Sequence, residues 1–230
     1  MNNKYASTSK YWDVISKNEH YFKGVPLLAK FKSSEYLNFL KNIYLENFYV
    51  LKTDLYIEAK NEDDNFLPYL KNNYFMGMDI SLEIVKMARE NLIPIFPMMK
   101  FVVADIRYLP FKNTIFHTVI SDSTLAYVTK KDLAAALMEI GRVLKENGKF
   151  ILSLNNIFNF FIAISTKIRY RIDKRYFFSY SHNYKYILRL IKNINFTIED
   201  IKFIFPLHIF EFELIKILYK IKFTFLAQKW

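Results

Sequence analysis

No cysteine occurs in the 230 residues, and glycine occurs only four times. The first absence excludes disulfides, thiolate metal sites and a cysteine nucleophile. The second excludes a glycine-rich phosphate-binding loop, which needs several glycines within a few residues. In a nucleotide-binding α/β sheet such a loop would follow the first strand, yet the stretch at 50–64, VLKTDLYIEAKNEDD, contains none. The opening MNNKYASTSKYWDV has no apolar core, so no secretory signal is read and a cytoplasmic setting is expected. His20, His182 and His208 lie far apart without metal-ligand spacing, and no metal is expected. No block of like charge stands out either. The formal +11, from 33 Lys and Arg against 22 Asp and Glu, would attract anionic partners, but the lysines are scattered and nucleic acid is not the expected partner.

What is present points to one folded domain. Composition is 52% hydrophobic and 24% charged, which excludes disorder, and the length suits a single α/β domain with a full core. Short apolar runs alternate with longer helical patterns, the signature of βαβ units and a parallel sheet. Strands are expected at 48–54, 75–79, 100–105 (KFVVAD), 116–121 (FHTVIS) and 149–154 (KFILSL), with part of a helix at 66–72. Ser81 can cap a helix whose Ile84, Val85, Ala88 and Leu92 share one face. Thr129 and Asp132 have capping-box spacing before a helix through Leu133, Leu137, Ile140 and Leu144, closed by Gly148. Later come a helix at 184–194, a strand at 196–205, a helix at 210–220 and a last strand at 222–228. Residues 1–47 contain no strand unit and read as a helical N-terminal extension to a domain at 48–230.

In an open parallel sheet, ligands bind at the carboxyl ends of the strands, where strand order reverses. The residues in that position are Asp54, Asp79, Asp105 and the group Ser121, Asp122, Ser123, Thr124. Three successive strands thus end in a carboxylate. A single such aspartate is most simply a turn former or a helix cap; three in register point to a ligand crevice. Asp79 stands where an acidic residue usually holds a ribose through its two hydroxyls.

In order and spacing, VLKTDLYIEA (50–59), FMGMDISLEIVKMAREN (75–91), VVADIRYLPF (102–111), FHTVISDSTL (116–125) and LMEIGRVLKENGKFILSLNN (137–156) resemble the class I S-adenosylmethionine-dependent methyltransferases, in particular a subgroup with LKTDLFEEA in place of the glycine-rich loop. The resemblance implies a Rossmann-like, seven-stranded, mostly parallel sheet with one antiparallel edge strand and helices on both faces, and S-adenosylmethionine as cofactor. It implies that Asp79 holds the cofactor ribose, with Ile80 beside it, that Asp105 faces the adenine amino group, and that Ile106, Arg107 and Ser121 lie around the base. Lys52, Thr53, Asp54 and Glu58 would line the methionine end. A cofactor without phosphates does not need amides brought close by glycines; Asp54 or Glu58 can take its ammonium and Lys52 its carboxylate.

The chain departs from the family at the fourth strand, with His117 for the usual Asp, and Ala126 and Tyr127 where STLDH is common; these positions are expected on the substrate side. Methyl transfer from a sulfonium needs mainly alignment, with a base only where the acceptor must lose a proton; Asp122 is the one candidate. The uncharged 150–166 segment is interrupted by Asn155, Asn156 and Asn159 and reads as strand plus buried helix. With the basic, aromatic stretch that follows, 157–180 could also form a flap over the acceptor or contact a membrane surface. The expected function is methyl transfer to a small-molecule or lipophilic acceptor. The alternative is an inactive relative acting as a binding or regulatory partner.

Overall fold

The structure is a computed structural model that describes residues 3–17, 34, 37, 38, 48–60, 65–153, 168, 171, 182–194, 196–199 and 201. Five strands, β1 (Tyr49–Lys52), β2 (Tyr74–Asp79), β3 (Lys100–Val103), β4 (Phe116–Asp122) and β5 (Leu144–Ser153), form one parallel sheet in the order β3-β2-β1-β4-β5. The inner strands β1 and β4 are buried almost throughout, as in a parallel sheet covered on both faces, although β4 carries the polar residues His117, Thr118, Ser121 and Asp122.

Helices cover both faces. On one lie α1 (Asn3–Ser16), α2 (Tyr56–Lys60) and α3 (Leu82–Leu92), burying Trp12, Ile15, Leu55, Ile84, Ala88 and Leu92 against Val50, Phe75, Ile120 and Ile151. On the other lie α4 (Leu133–Val143) and α5 (Tyr184–Asn193), burying Leu133, Leu137, Ile140 and Ile187 against Leu51, Met78 and Val119. The core is therefore two apolar layers separated by the sheet. α3 follows the sequence closely: Ser81 is its cap, with Oγ accepting from Ile84 N at 3.2 Å, and its buried residues are Ile84, Val85, Ala88 and Leu92. Gly77 has a packing reason, since a Cβ there would lie 2.8 Å from Met99 Cε and 3.0 Å from a Leu55 methyl.

Several expected elements come out differently. β1 ends at Lys52, two residues before Asp54, and the helix after it is α2; residues 67–70 form only one 3-10 turn. Asn73 helps stop that turn, because its amide donates to Leu70 O at 3.0 Å and accepts from Phe48 N at 3.1 Å. Thr129 and Asp132 do not form a capping box: the Thr129 hydroxyl donates to the Asp132 carboxylate at 2.8 Å, and that carboxylate makes no cap bond to the helix backbone. α4 stops at Val143, and Leu144 already pairs with Phe116 as the start of β5. Gly148 is thus no helix terminus. Asn147 and Gly148 both lie within β5 where its register against β4 shifts; Asn147 takes the left-handed conformation at φ 59°, while Gly148 sits where a Cβ would be 2.8 Å from the Lys145 carbonyl oxygen. Residues 196–199 lie outside any strand. The rest of the strand expected at 196–205, the 210–220 helix, the 222–228 strand and most of 157–180 fall outside the described residues, so the sheet counts five strands there, against the seven expected.

Candidate functional site

The chain runs from β1 outward through β2 to β3, then returns to lay β4 on the other side of β1. The two central strands therefore send their following loops to opposite faces and open a crevice between them. Hydroxyls tie its floor together. Thr53 N donates to Ile120 O at 3.0 Å, Thr53 Oγ1 lies 2.8 Å from Thr124 Oγ1, and Thr124 Oγ1 donates to Asp54 Oδ2 at 3.2 Å. Ser123, at φ 67°, takes the left-handed conformation uncommon outside glycine, so the chain leaves β4 sharply at this point.

Lys52, the last residue of β1, is fully buried. Its ammonium donates to Asp54 O at 2.6 Å and Glu58 Oε2 at 3.2 Å, and lies 3.5 Å from Asp54 Oδ1. It also sits 5.7 Å from the centre of the Phe66 ring. Two of the ammonium's donors thus have internal hydrogen-bond acceptors, and the Asp54 carboxylate stands at ion-pair distance. These contacts brace the loop from beneath. Burial alone would lower its pKa, but the carboxylates of Asp54, Glu58 and Asp122 outweigh burial and hold it above the ordinary lysine value. Glu58 is buried as well, and burial, opposed by Lys52, pushes its carboxyl up to about 7. Its second oxygen, Oε1, is buried and has no hydrogen-bond partner among the described residues.

Asp79, at the end of β2, uses both oxygens on backbone donors: Oδ2 accepts from Leu55 N at 3.0 Å and Oδ1 from Ser81 N at 2.9 Å. It thus holds the turn after β1 to the turn after β2. Burial pushes it up to about 7 against those two hydrogen bonds. The next residues meet α1, where Ser9 Oγ donates to Ile80 O at 3.0 Å and Asp13 Oδ1 accepts from Ser81 Oγ at 2.5 Å and Glu83 N at 3.3 Å. Beside Asp13, Trp12 sets its ring edge-on to Tyr56, the first residue of α2, and to Tyr127, beyond β4.

On the other face, Asp105 is held by its own neighbour. Arg107 donates from its backbone N (3.0 Å), from Nε (2.7 Å) and from Nη2 to the Asp105 carboxylate, and reaches Asp132 at 3.3 Å from Nη1. Ile106 is buried in the α4-side core, and Ser121 Oγ is buried without a hydrogen-bond partner among the described residues. Asp122 Oδ1 accepts from Ser153 Oγ at 2.5 Å and Ser123 Oγ at 3.3 Å. His117 lies at the opposite end of β4, between the rings of Phe48 and Tyr49, with Nδ1 accepting from Tyr49 N at 3.0 Å. Its departure from the family pattern therefore does not touch the crevice, contrary to expectation; burial and Lys145 lower its pKa.

The structure thus gathers Lys52, Thr53, Asp54, Glu58, Asp79 and Asp122 around one crevice and gives Asp105 and Arg107 to each other. Four carboxyl groups, Asp54, Glu58, Asp79 and Asp122, lie around the one ammonium of Lys52, an arrangement suited to a cationic group and unsuited to phosphate. Sequence reasoning missed Ser9 and Asp13, because contacts across about 70 positions leave no local pattern, and missed Arg142. That guanidinium binds Glu139 at 2.7 Å and the carbonyls of Leu109 and Phe111 at 2.9 and 2.7 Å, clamping the loop after Asp105 to α4; the Glu139–Arg142 spacing was its only visible signal. Among the described residues no helix is long and apolar enough to cross a membrane, and no group of three or more His, Asp or Glu could hold a metal ion.

Residues 64–152 match the family described as a methyltransferase domain. An uncharacterized protein of Methanocaldococcus jannaschii is 38% identical over 87 residues, which cover 38% of this chain and 32% of that protein. The match therefore spans about a third of the length of that curated relative. Among solved structures, a SAM-dependent methyltransferase from Methanosarcina mazei superposes with a TM-score of 0.55 at 16% identity, covering 70% of this chain and 85% of that one. Geranyl diphosphate C-methyltransferase from Streptomyces coelicolor, in complex with Mg2+, geranyl diphosphate and S-adenosyl-L-homocysteine, superposes with a TM-score of 0.60 at 14% identity, covering 87% and 82%. At these identities the likeness concerns the fold.

Proposed function

We propose that this chain is a class I S-adenosylmethionine-dependent methyltransferase that binds S-adenosylmethionine in the crevice between β1 and β4 and transfers its methyl group to a small-molecule or lipophilic acceptor. The observation that carries the reading is Glu58 Oε1, a buried acceptor left without a hydrogen-bond partner among the described residues beside a crevice rich in carboxylates. An unmatched buried acceptor of this kind costs about 1–3 kcal/mol, which a ligand ammonium would recover. When bound, the cofactor supplies an already activated methyl on a sulfonium.

The chain's own residues then have four tasks. Lys52 holds the β1 loop in shape without glycine, leaving Glu58 and Asp54 to receive the ammonium. Asp79, whose oxygens have lone pairs beyond those used by Leu55 and Ser81 N, offers its carboxylate to the ribose hydroxyls. Ile80, Ile106 and Ser121 border the base, and Asp105 faces its amino group with the oxygen capacity that Arg107 leaves over. Asp122, held by Ser153 and Ser123, is the candidate base for an acceptor that must lose a proton. Tyr56 and Tyr127, flanking Asp54 and Thr124 in sequence, suit an apolar or aromatic acceptor.

The alternative of an inactive binding protein loses His117 from its support and keeps only Ala126 and Tyr127. Equilibrium binding of S-adenosylmethionine to the parent and to Glu58→Gln and Asp54→Ala tests the reading. Each substitution should weaken binding about tenfold, or 1.4 kcal/mol, with ATP binding none of the three. Unchanged affinity in both variants refutes it.

A further inference from the structure

We infer that α1 is a working part of the cofactor site: Asp13 is a positioning residue that fixes the Asp79–Ile80–Ser81 turn, so the docking of α1 and the binding of cofactor are coupled. The inference rests on the cofactor reading above. Its geometric basis is independent of that reading.

Three links converge on one turn. Asp13 Oδ1 accepts from Ser81 Oγ and from Glu83 N, and so supplies an acceptor to the first turn of α3 from a helix about 70 residues away. Ser9, four residues earlier and hence on the same face of α1, donates to the Ile80 carbonyl. Ser81 is itself shared, since its N–H goes to Asp79 Oδ1 and its Oγ accepts from Ile84 N while donating to Asp13. Moving Asp13 therefore frees the Ser81 hydroxyl, which orients the turn that carries Asp79.

The same helix closes the methionine end. Trp12 is buried against Tyr56 at 5.9 Å and Tyr127 at 4.9 Å between ring centres, joining the loops that follow β1 and β4. The C-terminal end of α1 is tied down by Lys60, whose ammonium donates to Ser16 O. Residues from the turns after β1, β2 and β4 thus meet on one helix. Any ligand seated against those turns is felt by α1, and any loosening of α1 is felt by all three.

The test uses the full chain carrying Trp230→Phe, which leaves Trp12 as the one tryptophan. Asp13→Ala should weaken S-adenosylmethionine binding at least fivefold and speed hydrogen exchange at the amides of Ser81, Glu83 and Ile84. Asp13→Asn keeps a carbonyl acceptor and should restore most of both. Trp12 emission should shift on addition of cofactor in the parent, and less in Asp13→Ala. Ile140→Val, in the core of the other face, controls for a general loss of stability and should leave affinity unchanged at a comparable melting temperature. Parent-like affinity or parent-like exchange at Ser81 in Asp13→Ala overturns the coupling. A parent that binds no S-adenosylmethionine refutes the cofactor reading, and the coupling with it, even where exchange at Ser81 still reports that α1 holds the turn.

Discussion

Replacing Lys52 by Met removes a buried cation while keeping most of its volume, and the structure sets the size of the effect. The ammonium satisfies Asp54 O and Glu58 Oε2, and its side chain and that of Glu58 have no solvent exposure. Breaking a buried ion pair by removing one partner costs about 3–5 kcal/mol, because the other charge is left uncompensated. Asp54 is partly exposed and can turn to water, and Glu58 can take up a proton, so the lower end, about 3 kcal/mol, is expected. With a urea dependence of about 2–3 kcal/mol per molar, the unfolding midpoint should fall by about 1–1.5 M. The assay is urea unfolding followed by far-ultraviolet circular dichroism at pH 6 and pH 8. The loss should be larger at pH 8, where keeping Glu58 neutral is harder. The double variant Lys52→Met with Glu58→Gln should regain part of the stability at pH 8. A loss below about 0.5 kcal/mol, as for an exposed ion pair, would refute the view that Lys52 braces this loop.

Other outcomes follow from the same geometry. The folded-state pKa values of Glu58 and Asp79, about 7, lie above the ordinary 4.5 and 3.8. The stability from their neutral forms is therefore complete below the ordinary values and is lost as pH rises through about 7; melting temperature without ligand should fall over that window, and a flat profile would contradict it. Asp79→Ala should lower both stability, by about 1–3 kcal/mol for two backbone donors left unmatched, and cofactor affinity, while Asp79→Asn keeps more of the first than of the second. Arg142→Met should lower the melting temperature through loss of its bonds to Glu139, Leu109 and Phe111, with cofactor affinity held within about twofold (0.4 kcal/mol). For a membrane-associated acceptor, α5 exposes Lys185, Arg189 and Lys192, and their joint replacement by Glu should abolish sedimentation with anionic vesicles. Parent protein that does not sediment rules out that route.

The sheet was legible because short, largely apolar runs alternate with longer helical patterns, as at 75–79 and 116–121, and the following helix because Ser81 precedes an amphipathic run. The crevice was legible in outline, since aspartates after successive strands share one end of the sheet. Side-chain roles were not. KTDLYIEA gives the residue types, but whether Lys52 points at a ligand or under the loop depends on burial by Phe66 and α2. Asp105 with Arg107 two residues on gives two opposite charges, but not that the backbone N, Nε and Nη2 of Arg107 all reach the Asp105 carboxylate. The stretch Lys145–Gly148 misled because it belongs to an irregular start of β5, where Asn147 takes the left-handed conformation and Gly148 closes no helix.

The central claim is that a glycine-free, carboxylate-rich crevice receives a cationic, phosphate-free cofactor. Calorimetric titration of the unmodified protein with S-adenosylmethionine, repeated in buffers of different ionisation enthalpy at pH 6 and pH 8, tests it most directly. The account predicts one site per chain, with protons released at pH 6 as a ligand ammonium forces Glu58 to ionise, and release fading at pH 8, where Glu58 is already charged. Absence of binding, or binding that takes up protons at pH 6, would contradict it.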